Sequence, residues 1–351
     1  MKTLSAVRRR TRFGFAGAVT LTLLAAACGD DGDETSAGGD EVTDIRLATV
    51  PNLVGWAVWG ADDLGMFEEN GLNVTSLEVF DSGPPIVETG LAGEWDVAFL
   101  GSPPAIVAGE AWDLKIAGVQ NEEADNIVLY VREGEVDLED PAPDLMGEQA
   151  LVVGNSLGEQ VYQACLESFG MQPDDMQLVP LEMPQIFNSF TGGDGAVAQV
   201  WSEVVERLEA EGGYEQLCTA KDAGEEVYTV FTVHPDFAAA EPEAAARAIE
   251  AIFQANEMLR DDLDGAMPSL EAFFSEHGVE LSEDDIRGES ERHAWYSLEE
   301  STELITSGEA ADVLGQTAEF FVAKGQYDEV PEFDFMAPEI AEAAVEYRSG
   351  Q

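Results

Sequence analysis

From position 43 to about 134 the chain alternates between short apolar runs and longer amphipathic ones. "DIRLATV", "NVTSLEVF", "DVAFL", "LKIAGV" and "NIVLYVR" have the length and β-branched content of strands. Between them, "VGWAVWGADDLGMFEENG" reads as one helix closed by Gly71, and "PPIVETGLAG" and "PPAIVAGEAW" as helices with proline at their starts. The β-α-β-α-β order calls for a mostly parallel sheet. A break rich in proline and acid, "EDPAPD", precedes a second unit of the same kind. Its strands are "ALVV", "MQLVPL" and "AVAQV", and its helices "EQVYQACLESFG", "PQIFNSF" and "SEVVERLEAEGG". After a last strand, "VYTVFTV", the pattern is helical only, and the apolar stripe of Glu241 to Arg260 reads as core. No repeat of 20–50 residues stands out. The pattern predicts two α/β lobes with a cleft between them, the chain crossing near 131–134 and 226–233. The first lobe would comprise residues 43–132 and be completed by 229–351, and the second 133–228.

The N-terminus falls outside this scheme. Lys2, Arg8, Arg9, Arg10 and Arg12 precede an apolar stretch, Phe13 to Ala27, that ends in small residues before Cys28. A basic segment, a short apolar segment and a small-residue cut site make residues 1–27 a secretory signal. The approach to Cys28 resembles a bacterial lipobox, with Leu24 one place earlier than usual, so Cys28 is the expected lipidated residue of the mature chain. Residues 28–42 then form an acidic tether without a core-forming run, reaching roughly 20 Å as a flexible coil. Contact with the membrane is expected through the lipid only.

Charge narrows the partners. The formal net charge is −55. Without the five bases of positions 1–27, eleven bases stand against 71 acids, a formal −60. Such a chain repels nucleic acid. Lysine occurs only at Lys2, Lys115, Lys221 and Lys324, and an acid-rich, lysine-poor exported surface suits a salty medium, where screening shortens the self-repulsion. Cys165 and Cys218 remain besides Cys28; outside the membrane they either form a disulfide or stay as two buried thiols. No cluster has metal-ligand spacing, and neither a metal nor a cofactor is expected.

"LVVGNSLGEQVYQAC" holds a G-x-S-x-G at Gly154–Gly158 in strand-turn-helix context. That is the setting of a serine nucleophile, and also of a helix start that holds a small ligand. The histidines are His234, His277 and His293; none lies in a glycine-flanked loop at a strand end, and no HGGG-type run is present. Ser156 therefore reads as a capping donor, with an α/β serine hydrolase as the alternative.

"GMFEENGLNV", "DSGPPIVETGLAGEWDVAFLGSPPAIVAG" and "FNSFTGGDGAVAQVW" resemble the solute-binding proteins of bacterial importers for taurine, alkanesulfonates and nitrate. The likeness spans positions 44 to about 330. It implies the two-lobed type II periplasmic-binding fold, no enzyme activity, and a monomer that carries a small solute to an ABC permease from the outer face of the cytoplasmic membrane. A sensor or adhesion lipoprotein that keeps the fold is the second alternative. Ligands of open α/β sheets bind beyond the carboxyl ends of the strands. The candidate wall is therefore Asn52 and Trp56, Ser82-Gly83, Ser102-Pro103, Asn121, Asn155, Ser156, Gly158, Glu159, Gln199 and Trp201. Helix starts hold anions without Arg or Lys. Glu159 stands where sulfonate binders of this family more often have the first residue of a His-Tyr-like pair. It faces solvent as an ordinary first-turn acid, or it pairs with an amine.

Overall fold

The computed structural model describes residues 42–201 and 203–351; the signal, Cys28 and nearly all of the tether lie outside them. Among the described residues no helix is long and apolar enough to cross a membrane.

The strands are β1 (Thr43–Thr49), β2 (Leu72–Val79), β3 (Val97–Gly101), β4 (Lys115–Glu122), β5 (Ile127–Arg132), β6 (Gln149–Val152), β7 (Gln177–Pro180), β8 (Val197–Trp201), β9 (Tyr214–Thr219), β10 (Tyr228–Val233) and β11 (Ala294–Trp295). They form two sheets, in the orders β11-β4-β10-β3-β1-β2 and β7-β6-β8-β5-β9. Leaving out β11, the two orders are the same. Each runs as a parallel trio, then one reversed strand, then a strand back in the first direction. The reversed strands are β10, antiparallel to β3 and β4, and β5, antiparallel to β8 and β9. Each lobe thus takes its reversed strand from the chain just after it has crossed. The result is the expected two-lobed α/β fold.

Pairing moves the lobe boundary. The run "NIVLYVR" was expected in the first lobe, which would have ended at residue 132. As β5 it lies in the second sheet, and the crossovers are residues 123–126 and 220–227. An apolar run is equally at home in either sheet, and its own pattern does not say which partner it pairs with. The six residues of β10 are all buried, as befits an inner strand covered on both faces. Weak patterning hid β9, whose six residues "YEQLCT" include only two fully buried ones. The helix expected up to Gly71 is two helices, Leu53–Asp63 and Met66–Glu69, because Gly65 adopts a left-handed φ of 78° between them.

The helical tail packs on the first lobe. Helix Pro242–Asp261 buries twelve of its 20 residues there. Gly118 in β4 makes room for it, since a Cβ at 118 would lie 2.8 Å from the Phe253 ring. Two apolar clusters fill the second lobe, one of them holding Cys165 and Cys218. Those two cysteines are disulfide-bonded and tie helix Leu157–Ser168 to β9.

Candidate functional site

A cavity of about 60 Å³ opens where the two sheets face each other. The first lobe contributes Val50, Asn52, Val54, Asp81, Ser82, Gly83, Phe99, Gly101, Pro104 and Thr229; the first crossover contributes Glu123; the second lobe contributes Ile127, Ser156, Leu157 and Trp201. No Lys or Arg is among them.

Its polar wall is made of helix starts. The loops leaving β1, β2, β3 and β6 lead into helices Leu53–Asp63, Gly83–Leu91, Ser102–Trp112 and Leu157–Ser168, whose cap residues are Asn52, Ser82, Gly101 and Ser156. All four caps line the cavity, so four partial positive charges converge on it. Proline in the first turns of the second and third helices removes backbone donors there, which leaves their dipoles and the Ser82 hydroxyl to do the polar work. Asn52 is committed, its Oδ1 accepting from Gly55 N at 3.0 Å. Gly55 lets this helix close on β1, since a Cβ there would meet Val50 O at 2.0 Å. Ser156 Oγ donates to Val153 O at 2.6 Å and accepts from Gly158 N at 3.1 Å. Ser82 is 3 % exposed, and its hydroxyl has no hydrogen-bond partner. A buried hydroxyl without a partner costs free energy unless something in the cavity satisfies it.

Asn52, Ser82, Gly83, Ser156 and Trp201 thus come together at the cavity, and the other expected wall residues lie apart from its lining. Trp56 is fully buried, with Nε1 donating to Ser269 Oγ at 3.2 Å; four residues past Asn52, it lies one helical turn further on. Ser102 donates to the Tyr228 carbonyl, and Pro104 lines the cavity where Pro103 does not. Asn121 braces the floor. Its Oδ1 accepts from Thr229 Oγ1, and its Nδ2 lies 2.6 Å from His293 Nδ1. Gly158 packs on Gln199, where a Cβ would fall 1.9 Å from Oε1. The Gln199 amide itself is fully buried without a hydrogen-bond partner.

Glu159 does pair with an amine, but one of its own chain. Its Oε1 lies 2.7 Å from Lys324 Nζ, and its Oε2 accepts from Asn155 N at 2.7 Å. Lys324 also reaches Asn155 Oδ1 at 3.1 Å. Lys324 follows helix Glu309–Ala323 of the first lobe, so Asn155 and Glu159 form a bridge across the cleft mouth. The side chain of Glu159 is 7 % exposed, which also excludes the solvent-facing reading. The scarcity of lysine in the chain was the available signal for Lys324.

Glu123 was missed. It is 4 % exposed and lines the cavity. Burial, reinforced by Glu122 and Glu289, pushes its carboxyl well above the usual range. Its Oε2 lies 3.8 Å from His293 Nδ1. Burial and then Arg292 hold that imidazole down to about 3, so it is neutral. In sequence Glu123 belongs to "NEEADN", which reads as a solvated acidic loop. Only the crossover's place beneath the cleft makes it part of a site.

Among the described residues no histidine is hydrogen-bonded to Ser156. Ser156 spends its hydroxyl on its own helix start, His277 contacts Phe273 O, and His234 caps helix Pro235–Ala240. Among the described residues no cluster of His, Cys, Asp or Glu could hold a metal ion.

Known proteins share this fold. The Escherichia coli aliphatic sulphonate binding protein SsuA superposes with a TM-score of 0.68 at 16 % identity, over 83 % of this chain and 91 % of its own. The taurine-binding periplasmic protein of Escherichia coli is 28 % identical over 180 residues, half of this chain and 54 % of that one. A Brucella abortus chain described as a binding protein is 23 % identical over 294 residues, 80 % of this chain and 88 % of its own. These relatives are binding proteins rather than enzymes, as expected from the sequence. The family model described as NMT1/THI5 like matches residues 55–266, and the chain belongs to that family.

Proposed function

We propose that this protein is the exported solute receptor of an ABC importer, lipid-anchored at Cys28, and that it carries a small anionic or zwitterionic solute of the sulfonate class. The observation that supports this most is the convergence of four helix starts, one with an unpartnered serine hydroxyl, on one small cavity between two lobes. A sulfonate or carboxylate there meets helix dipoles and hydroxyl donors without a charged side chain. The relatives named for taurine and aliphatic sulphonates support the solute class. The solute touches both lobes and favours their closed arrangement by the contacts it gains there. The closed form docks on a permease, whose partner ATPase supplies the energy. No bond of the solute is made or broken.

A thermal-shift screen of the purified protein at high salt, against alkanesulfonates, aminosulfonates, nitrate and carboxylates, tests this. A true solute at about 100 times its Kd adds about 2.7 kcal/mol of stability, seen as a rise of a few degrees in Tm. Ser82→Ala should weaken that solute without destabilising the free protein, because it removes a buried hydroxyl that has no partner there. Ester turnover that disappears in Ser156→Ala, or a screen in which no anion shifts Tm, would overturn the proposal.

A further inference from the structure

Three other buried carboxylates among the described residues have cations of their own. Asp96 pairs with Arg46 at 2.6 Å, Glu159 with Lys324 at 2.7 Å and Glu250 with Arg348 at 2.7 Å. Glu123 is as buried as these and, among the described residues, forms no ion pair with a lysine or arginine. Its one basic neighbour is His293, whose ring nitrogens lie 2.6 and 3.1 Å from the amides of Asn121 and Asn126, and which stays neutral. Glu123 accepts a hydrogen bond from the Asn121 side chain, but the charges nearest it are acids, Glu122 and Glu289. Asp81, on the exposed rim, adds a further acid to the cavity lining. A buried carboxyl in such company needs either a proton or a cation.

Its place in the chain gives that need a use. Glu123 begins the four-residue crossover between β4 and β5, so it lies where the two lobes join. It shares the cavity with the four helix starts, which makes the cavity bipolar, with fixed positive dipoles on its walls and a carboxyl at the crossover. Phe99 and Trp201 supply aromatic surface between them, and such faces attract ammonium groups.

We infer that Glu123 is the specificity-determining residue of the cavity and that the solute carries a protonated amine, or a comparable cationic nitrogen, which pairs with its carboxylate. The inference rests on the solute-receptor reading and narrows it, since a simple alkanesulfonate or nitrate would leave Glu123 without a counter-charge. Taurine-like and β-amino acid-like zwitterions fit; their hydroxyl analogues do not.

Calorimetric titration of the whole protein at high salt tests this with pairs that differ only at the amine: taurine against isethionate, and β-alanine against 3-hydroxypropionate. Ethanolamine and putrescine serve as amines without an anion. The amine of at least one pair should bind about tenfold or more tightly than its hydroxyl partner. Glu123→Gln, which keeps the shape of the side chain, should erase that preference, and Glu271→Gln, on the exposed face of helix Leu263–Glu276 away from the cavity, should keep it. Equal binding within the pairs, or a preference that survives Glu123→Gln, would overturn the inference while leaving the receptor reading intact. If no anion binds but an amine does, and Glu123→Gln abolishes it, the inference about Glu123 holds and the sulfonate reading falls. If nothing carrying an amine binds, the inference is wrong. The melting temperature of Glu123→Gln, measured alongside, shows that the variant is folded.

Discussion

His293 shows how one buried side chain couples the site to stability. It is 7 % exposed, stacked 4.7 Å from the Trp295 ring and flanked by Asn121 and Asn126. In the unfolded chain it takes a proton near pH 6.5, and in the fold only near 3. Between those values the unfolded state binds more protons, so stability falls as the pH drops through that window. The histidine's contribution is whole above about pH 6.5. Half-buried Glu122 and buried Glu123, whose carboxyls are raised, act in the opposite sense, because they keep their protons in the fold above the pH at which the unfolded chain releases them. The comparison that isolates His293 is therefore between the wild type and His293→Gln. From pH 7 to about 4.5 the wild type should lose about 2–3 kcal/mol more than the variant in urea denaturation. Parallel pH profiles would show that the imidazole does not stay neutral in the fold.

Among the elements, helix Leu157–Ser168 carries the most consequence. Its N-terminus supplies Ser156 and Leu157 to the cavity and Glu159 to the bridge, and its last turn supplies Cys165 to the disulfide. The disulfide therefore fixes to β9 the helix on which the second lobe's part of the site is built. Its partners are 53 residues apart in sequence, and closing such a loop in the unfolded chain is worth about 4 kcal/mol by chain entropy. Reduction, or a Cys165→Ala/Cys218→Ala double variant, should lower Tm markedly and weaken solute binding through the looser helix. Unchanged Tm under reductant, with the thiols shown to be free, would refute this. Sequence patterning found this helix and left its disulfide open, because periodicity reports which face is buried and not which element lies against it.

For the whole molecule, ion pairs between the lobes bear on the closure proposed above. Lys324 to Glu159 bridges one side of the cleft, and Arg292, following helix Glu283–Glu291, pairs with Glu206 of the second lobe. In a chain of net charge −55 the lobes otherwise repel, and two cations placed at the seam offset that locally. Lys324→Met should shift the free protein toward open forms, raising its radius of gyration in solution scattering and weakening the solute, whose binding must then supply more of the closure. Added salt should narrow the difference between variant and wild type by screening the repulsion. Identical scattering and affinity would mean that the bridge does not bear on closure.

The alternation of apolar runs was enough to determine the class of fold, the two lobes and the helical tail, because period and length are properties of local stretches. It also determined which loops hold helix starts, since Asn52, Ser82 and Ser156 declare themselves by residue type beside an apolar run. What joins distant stretches was decided only in three dimensions. Which sheet receives β5, whether Glu159 turns to solvent or to Lys324, and the presence of Glu123 in the cavity all depend on pairings between segments far apart in the chain. A side chain's burial and partners follow from those pairings. An acidic loop therefore reads as solvated surface until the tertiary fold buries it.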